Sequence, residues 1–259
     1  MDINNQLAIV IGGASGLGAE TVRLLAENGA KTAIFDTKCD AGEALSKEVN
    51  GHFYEVDVRD ESEVRQALAD CREKFGYPRV LVNCAGIAKN FEIIDEDMQP
   101  HPLQDFVDQI NANLVGAFNC MRLFAAEAAL ASELEEGERG VIINVGSISG
   151  SDCPSHQTAY GASKSGVMGM TLGAARSLSK WGIRVIAISP GLFNTPMLSA
   201  ASITKEAITK ATKRGVPYPA RMGKPSEFAE LVIAICKIKY INGEVIRLDG
   251  AMRTTHFNS

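Results

Sequence analysis

The sequence alternates regularly between short apolar runs and longer amphipathic stretches. The apolar runs are Leu7–Ile11, Lys31–Asp36, Phe53–Val58, Arg79–Asn83, Gly140–Val145, Ile183–Ser189 and Glu244–Leu248. Runs that are apolar throughout are typical of parallel strands, because helices bury both faces of a parallel sheet. The alternation therefore predicts an α/β fold with a doubly wound parallel sheet.

The stretches between the apolar runs have the spacing of helices. Apolar residues recur every three or four positions in Leu17–Asn28, Asp40–Val49, Glu61–Phe75, Leu103–Leu134, Thr158–Trp181 and Ser226–Ile238. Residues 192–225 have a looser pattern after Pro190-Gly191, and we interpret them as a substrate lid. No repeat or linker is present, so the sequence predicts a single domain over residues 1–259.

Composition argues against several classes of function. The chain has 259 residues, and its net charge of −5 argues against nucleic acid or a membrane surface as a partner. Its six cysteines are scattered without metal-ligand spacing, which indicates reduced thiols and no metal site. The first residues lack a signal-peptide pattern and no run is long enough to span a membrane, so we expect a cytoplasmic location.

A glycine-rich turn connects the first apolar run to the first helix. Glycine permits a tight turn and close approach of the backbone to a pyrophosphate, and the helix N-terminus offers free N–H groups. A plain strand–helix turn is the alternative, but the order strand, glycines, helix, strand, acid favours a Rossmann-like dinucleotide site. The expected contacts are Gly12, Ser15, Gly16, Leu17 and Gly18.

Asp36 ends the second apolar run, near the spacing expected of the acid that binds the adenosine ribose. A carboxylate there accepts hydrogen bonds from the ribose hydroxyls and repels a 2′-phosphate. Lys38 is the nearby cation, and no Arg or Lys lies between Ile11 and Arg23. NAD is therefore preferred to NADP as the cofactor, although Asp36 could instead cap the next helix.

Tyr160 and Lys164 stand one helical turn apart on the same face. A phenol has a pKa of about 10, too high for a base at neutral pH. A nearby ammonium group favours the phenolate and lowers this pKa. An ordinary helix surface is the alternative interpretation of so common a spacing, and the other motifs decide between the two.

These motifs together resemble those of the short-chain dehydrogenase/reductase family over nearly the whole chain. The similar residues are the glycine turn, Asn83-Cys84-Ala85-Gly86, the ordered set Asn113, Ser147, Tyr160 and Lys164, and Pro190-Gly191-Leu192-Phe193-Asn194-Thr195. Ile11, Cys84 and Gly146 depart from the residues often found there, which are Thr, Asn and Ser. The departures weaken bracing hydrogen bonds but remove no group that takes part in the chemistry.

The resemblance implies hydride transfer between a nicotinamide and a secondary alcohol or ketone. Tyr160 would be the acid/base, and Lys164 would lower its pKa and reach the nicotinamide ribose. Ser147 would donate a hydrogen bond to the substrate oxygen. Asn113 would interrupt the long helix and hold a water that connects Lys164 to solvent.

The resemblance also implies the remaining cofactor contacts. Asp57 and Val58 would flank the adenine, and Thr195 would hold the carboxamide. The ribose side would be lined by Asn83, Ala85 and Gly86, and the nicotinamide side would include Pro190, Gly191 and Phe193, with Tyr160 and Lys164 reaching the cofactor as well.

Within the family, the chain is most similar to the type II 3-hydroxyacyl-CoA dehydrogenases. Residues 82–88, 187–193 and 242–251 carry the likeness, and Gln157 matches a substrate-contact position beside Ser147 and Tyr160. This implies an acyl-CoA substrate and a homotetramer. A dehydrogenase of a steroid, a 2-methyl-3-hydroxyacyl-CoA or another secondary alcohol is an alternative, as is a non-catalytic dinucleotide-binding scaffold, which would not need the intact catalytic residues.

The interpreted lid contains a group of basic residues. The helix-like part of the lid has four cations and one acid, Glu206, although the protein as a whole has a net negative charge. The cations are Lys205, Lys210, Lys213 and Arg214. Such a segment could bind the phosphates of coenzyme A at the mouth of the site. The alternative is a solvated helix face.

Overall fold

All strands of the sheet run in the same direction, as the apolar runs predict. The computed structural model describes residues 1–196, 212 and 215–253. The seven strands are Leu7–Ile11 (β1), Lys31–Asp36 (β2), His52–Glu55 (β3), Pro78–Asn83 (β4), Gly140–Val145 (β5), Ile183–Pro190 (β6) and Val245–Leu248 (β7). Every neighbouring pair is parallel.

The strand order changes direction at β1. The order across the sheet is β3-β2-β1-β4-β5-β6-β7, so β1 lies between β2 and β4. The connection after β1 leads toward one edge, and the chain returns beyond β1 to build the other half. Loops on the two sides of such a switch diverge, and ligands bind in the crevice outside the carboxyl ends of the strands. This Rossmann-like topology places the candidate site above β1 and β4.

Helices cover both faces of the sheet. They are Gly16–Glu27 (α1), Cys39–Glu48 (α2), Glu61–Phe75 (α3), Leu103–Ile110 (α4), Gly116–Ala128 (α5), Thr158–Leu178 (α6) and Pro225–Lys237 (α7). On one face α1 and α7 bury Leu25 and Phe228, and on the other α3 and α5 bury Leu68 and Phe124. Each such side chain contributes about 1.5–3 kcal/mol of burial free energy, which holds the helices in place.

The long helix predicted over Leu103–Leu134 is divided in the structure. A π-helical turn, Asn111–Val115, separates α4 from α5. The turn contains Asn113, where the family resemblance implied an interruption. Apolar periodicity did not reveal this break, because apolar residues recur at helical spacing on both sides of the turn.

The predicted end of this helix is wrong, since α5 stops at Ala128. The amides of Leu130 and Ala131 bond to carbonyls three residues earlier, which tightens the last turn. The side chain of Arg139 then donates to the Ala131 carbonyl at 3.0 Å. Side-chain and turn bonds therefore satisfy carbonyls that a continued helix would have used.

The third strand is shorter than predicted, because it ends at Glu55 rather than Val58. Beyond it, the Asp57 carboxylate accepts from the backbone N–H of Arg59 at 2.9 Å. The Asp60 carboxylate accepts from the N–H groups of Ser62 and Glu63 and caps α3. Short acidic side chains that bond nearby N–H groups compete with strand pairing, so the chain turns earlier than its apolar pattern indicates.

Part of the predicted lid lies outside the described residues. Lys205, Lys210, Lys213 and Arg214 all belong to the part that is not described. The described parts are residues 192–196, Thr212 and residues 215–225, in which Phe193 pairs with Gly223 in an isolated bridge. Among the described helices, none is both long and apolar enough to cross a bilayer.

Candidate active site

The glycine turn lies at the carboxyl end of β1, against the turn that follows β4. Gly12 has φ 69°, which favours glycine, and a Cβ there would lie 2.6 Å from the backbone nitrogen of Ala85. A Cβ on Gly18 would lie 2.2 Å from the carbonyl oxygen of Gly12. Two backbone segments therefore approach each other more closely than side chains would permit, and the N-terminus of α1 stays open above them.

Asp36 lies beside this turn at the end of β2. Its carboxylate accepts from the N–H of Ala14 at 3.0 Å and from the N–H of Lys38 at 3.1 Å. The ammonium of Lys38 lies 3.2 Å from the hydroxyl of Ser15. Lys38 is itself the residue before α2, so the carboxylate joins the glycine turn to the start of that helix and stays partly exposed.

The other residues predicted for the adenosine half lie around the same edge. Asp57 pairs with Arg59, whose hydrogen bond holds the pKa of Asp57 below its usual value. Val58 packs against Gly116 at the start of α5. The amide of Asn83 is buried and donates to Asn144 at 2.7 Å. The side chain of Asn83 therefore connects the neighbouring strands β4 and β5.

The residues predicted for the nicotinamide half follow β6. Gly191 lies against the backbone of Asp249, where a Cβ would come within 2.9 Å of Cα. Thr195 faces the glycine turn, since a Cβ on Gly16 would lie 3.4 Å from the Cβ of Thr195. Phe193 is buried and packs edge-on against Phe228 of α7. The two predicted halves therefore meet across the crevice.

Ser147 follows β5 and caps the short 3₁₀ turn Ile148–Gly150. Its hydroxyl oxygen accepts from the N–H of Ser149 at 3.1 Å, and the Ser147 hydroxyl acts to lower the pKa of Tyr160. An oxygen that accepts from a backbone N–H keeps its own hydrogen free for another partner. The turn therefore prepares Ser147 as a hydrogen-bond donor.

Tyr160 and Lys164 face each other from the first turns of α6. The ammonium of Lys164 lies 5.7 Å from the centre of the Tyr160 ring and donates to the Val145 carbonyl at 2.8 Å. Burial lowers the pKa of Lys164 to about 8, with the Cys84 thiol acting in the opposite direction. Desolvation raises the pKa of Tyr160, and the hydrogen bond with Ser147 lowers it. In the cofactor-free protein, desolvation is thus the largest influence on the pKa of Tyr160, and it raises this pKa, whereas the sequence predicted a lowered one.

The side chain of Asn113 is bonded entirely to protein groups. Its Oδ1 accepts from the N–H of Ile87 at 2.7 Å, and its Nδ2 donates to the Ile87 carbonyl at 2.9 Å and to Ser163 at 3.0 Å. The Ser163 hydroxyl donates in turn to the Tyr160 carbonyl at 2.7 Å. The amide therefore ties the π-helical turn to α6, and any water held at this position would have to use the main chain of Asn113.

Gln157 precedes α6 and lies near the turn that follows Ser147. Its amide accepts from the hydroxyl of Ser149 at 2.8 Å and donates to the side chain of Asn90 at 3.3 Å. Sequence reasoning proposed Gln157 but missed Ser149, Asn90 and Ser163. Ser163 stands inside the motif that contains Tyr160, so its position offered a signal, whereas Asn90 is distant in sequence and offered none.

The site fits a nicotinamide dinucleotide on structural grounds. The glycine turn leaves a cradle that a Cβ would fill, and Asp36 lies at its side with a partly exposed carboxylate. The open N-terminus of α1 favours a pyrophosphate. Ser147, Tyr160 and Lys164 lie at the same edge of the sheet, further along the crevice.

Comparison with known proteins agrees with this geometry. The protein-family model described as short chain dehydrogenase matches residues 6–206 of the chain. The chain belongs to this family. It is therefore an oxidoreductase, and dehydrogenases of this family use a nicotinamide dinucleotide cofactor.

Relatives resemble the chain over nearly its whole length. A Drosophila melanogaster protein named 3-hydroxyacyl-CoA dehydrogenase type-2 is 43% identical over 97% of this chain and 98% of its own length. The Homo sapiens protein of the same name is 43% identical over 97% of this chain and 96% of its own. A crystal structure of the Mycobacterium avium protein of that name has a TM-score of 0.92 at 39% identity and covers 97% of each chain.

The depressed pKa of Lys164 predicts an effect on stability. A lysine whose pKa is about 8 when folded and 10.5 when unfolded destabilises the fold by about 3 kcal/mol below pH 8. Stability should rise between these two pKa values, where the unfolded chain binds more protons. Lys164→Met should therefore raise the free energy of unfolding of the cofactor-free protein at pH 7 and lose this advantage above about pH 10.

Urea unfolding at both pH values measures this effect. Lys180→Met is the control, because Lys180 is exposed beyond the end of the same helix and should change stability little at either pH. A Lys164→Met protein that is less stable than wild type at pH 7 would contradict the prediction.

Proposed function

We propose that the protein is an NAD-dependent oxidoreductase that interconverts 3-hydroxyacyl-CoA and 3-ketoacyl-CoA. The observation that carries the proposal is the grouping of Ser147, Tyr160 and Lys164 at the carboxyl edge of the sheet. The Ser147 hydroxyl acts to lower the pKa of Tyr160, and the Lys164 ammonium lies 5.7 Å from the centre of the Tyr160 ring. The choice of a 3-hydroxyacyl-CoA is supported by the names of the relatives and by the likeness around Gln157.

Each residue has a distinct part in the proposed reaction. Ser147 donates a hydrogen bond to the oxygen on the reacting carbon, and Tyr160 as phenolate accepts the proton of the hydroxyl group. When bound, the oxidised nicotinamide supplies the acceptor for the hydride that leaves the same carbon. In the reverse direction Tyr160 returns the proton to the ketone oxygen.

Tyr160 needs a positive charge nearby to act as a base near neutral pH. Desolvation raises its pKa, and we propose that the Lys164 ammonium opposes this rise through space while it is charged. Burial brings the pKa of Lys164 to about 8, so this charge is present at neutral pH and is lost under basic conditions. A bound oxidised nicotinamide would add a second positive charge, and we propose that the two together favour the phenolate.

The preference for NAD follows from the position of Asp36. Its carboxylate is fixed by the N–H groups of Ala14 and Lys38, so it cannot move away from an approaching 2′-phosphate without breaking two hydrogen bonds. Within the described residues, Lys38 is the only cation near Asp36 whose side chain contacts the glycine turn. We propose that repulsion by Asp36 outweighs attraction by this one exposed ammonium.

We further propose that the protein is a cytoplasmic homotetramer with a single domain and a lid. Large apolar side chains are exposed along α4, the π-helical turn and α5, at Leu103, Val107, Val115 and Phe118. Exposed apolar side chains on one continuous surface are typical of association sites. The six unpaired cysteines support a reducing compartment.

Removal of the Tyr160 hydroxyl tests the chemistry. Tyr160→Phe should retain the fold and the affinity for NADH but lose at least about 10²-fold in kcat, because general acid/base catalysis contributes that much. Tyr77→Phe is the control, since Tyr77 is an exposed tyrosine outside the site. Steady-state oxidation of 3-hydroxybutyryl-CoA measures the effect, and near wild-type turnover in Tyr160→Phe would refute the role of the tyrosine.

Cofactor choice provides a second test. Wild type should favour NAD over NADP in kcat/KM, and Asp36→Ala should narrow the gap by removing the repulsive charge. Asp40→Ala removes a charge of the same sign from an exposed position on α2 and should leave the ratio unchanged. Equal use of both cofactors by wild type would mean that Asp36 does not have the proposed role.

Comparison of a thioester with its free acid tests the substrate. 3-Hydroxybutyryl-CoA should be a much better substrate than 3-hydroxybutyrate, and its advantage should shrink at high salt if phosphates of coenzyme A meet basic residues. The measurement is kcat/KM at low and high ionic strength. Equal use of the free acid would remove coenzyme A from the proposal.

A further inference from the structure

The amide of Gln157 is held from two sides. The hydroxyl of Ser149 donates to its Oε1 at 2.8 Å, and its Nε2 donates to Oδ1 of Asn90 at 3.3 Å. Gln157 is also the residue before α6, and its carbonyl accepts from Gly161 at 2.7 Å. Both its main chain and its side chain are therefore fixed close to the start of the catalytic helix.

Ser149 connects Gln157 to the catalytic serine. Its N–H donates to the hydroxyl oxygen of Ser147 at 3.1 Å, while its own hydroxyl donates to Gln157. Ser149 is 7% exposed, so solvent does not compete strongly for these bonds. One buried residue thus sets the distance between the group that would bind the reacting oxygen and the amide of Gln157.

Asn90 holds the amide from a different part of the chain. It begins the loop over residues 90–102, which is fastened to the segment before α6 by other bonds. The N–H of Phe91 donates to the His156 carbonyl at 2.8 Å, and the hydroxyl of Ser155 donates to Glu92 at 3.0 Å. The position of Asn90 therefore depends on the backbone as well as on its contact with Gln157.

The hydrogen-bonding capacity of the amide indicates what remains for a ligand. A glutamine side chain has two N–H donors and a carbonyl oxygen with two lone pairs. Ser149 donates to this oxygen, and Asn90 accepts from one N–H. The second N–H remains to donate to a ligand, and its natural partner is a carbonyl oxygen.

We propose that Ser149 and Asn90 are positioning residues that fix the Gln157 amide as a donor to a second carbonyl of the substrate. This inference rests on the proposed function and deepens it. A 3-ketoacyl or 3-hydroxyacyl thioester has its thioester carbonyl one methylene group away from the reacting carbon. Ser147 binds the oxygen on the reacting carbon, Gln157 binds the thioester oxygen, and Ser149 holds these two donors together.

A pair of substrates isolates this contact. Acetoacetyl-CoA carries the thioester carbonyl, whereas S-(3-oxobutyl)-CoA is the thioether in which a methylene group replaces it. Both retain coenzyme A and the reacting ketone. The ratio of their kcat/KM values with NADH measures recognition of the second carbonyl, and the intrinsic difference in ketone reactivity cancels when variants are compared with wild type.

The variants remove or keep each hydrogen bond separately. Ser149→Ala and Asn90→Ala should each lower the thioester-to-thioether ratio by roughly three- to tenfold, the size of one neutral hydrogen bond. Asn90→Asp should keep the ratio, because its carboxylate still accepts from Nε2 of Gln157. Ser149→Thr keeps the hydroxyl and should restore most of the ratio lost in Ser149→Ala.

Ser155→Ala is the matched control. It removes a hydroxyl bond between the same loop and the same segment, but Ser155 bonds to Glu92 and not to the amide of Gln157. The ratio should remain that of wild type, even if both kcat/KM values fall together. A purely structural role for Ser149 and Asn90 would likewise lower both values and leave the ratio unmoved.

The possible results separate this inference from the proposed function. If wild type reduces neither compound, the proposed function fails. If wild type prefers the thioester but Ser149→Ala and Asn90→Ala keep its ratio, the positioning role is overturned. If Asn90→Asp loses as much as Asn90→Ala, Asn90 acts as a donor to Gln157, and the proposed orientation of the amide is overturned. Asn90 is exposed, so its variants should fold and still test the positioning role if Ser149→Ala does not fold.

Discussion

The whole arrangement depends on the parallel direction of the strands. Because every strand ends at the same edge, residues far apart in sequence meet there without long connections. Asp36 ends β2, Ser147 follows β5 and Gly191 follows β6. The change of strand order at β1 opens the crevice between these loops. Close backbone contact between Gly12 and Ala85 then keeps the floor of the crevice narrow enough for main-chain N–H groups to reach a ligand.

The same edge holds a buried charge that the fold must tolerate. Lys164 is almost inaccessible, and the one hydrogen bond described for its ammonium goes to the Val145 carbonyl. Its lowered pKa shows that burial outweighs the favourable contacts. Desolvation also raises the pKa of Tyr160, so burial works against the charged form of both groups. A bound cation beside the phenol would change this balance, and the site is in this sense incomplete without the nicotinamide.

Sequence patterns predicted the sheet well and the breaks in helices and strands poorly. Apolar runs identified the seven strands of the described residues, and burial on both faces imposes this local signature on β1, β4, β5 and β6. The division of the long helix at Asn111–Val115 was predicted from the family resemblance, and Asn113 within it bonds to Ile87 and Ser163, which are distant in sequence. The early end of β3 follows from side-chain bonds of Asp57 and Asp60 that compete with pairing. The sequence was sufficient to identify the residues within a motif, whereas it did not predict which residues of other loops they contact.

The same distinction between local and distant contacts separates the residues proposed for catalysis from those proposed to select the substrate. Tyr160 and Lys164 are fixed by one helix, so their relation is local and readable from spacing. The amide of Gln157 is fixed by Ser149 from the turn after β5 and by Asn90 from the loop after β4. Loops vary more readily than the elements they connect. In the proposed function, changes at such positions would therefore alter which second carbonyl is recognised, while Ser147 and the helical spacing of Tyr160 and Lys164 are left in place.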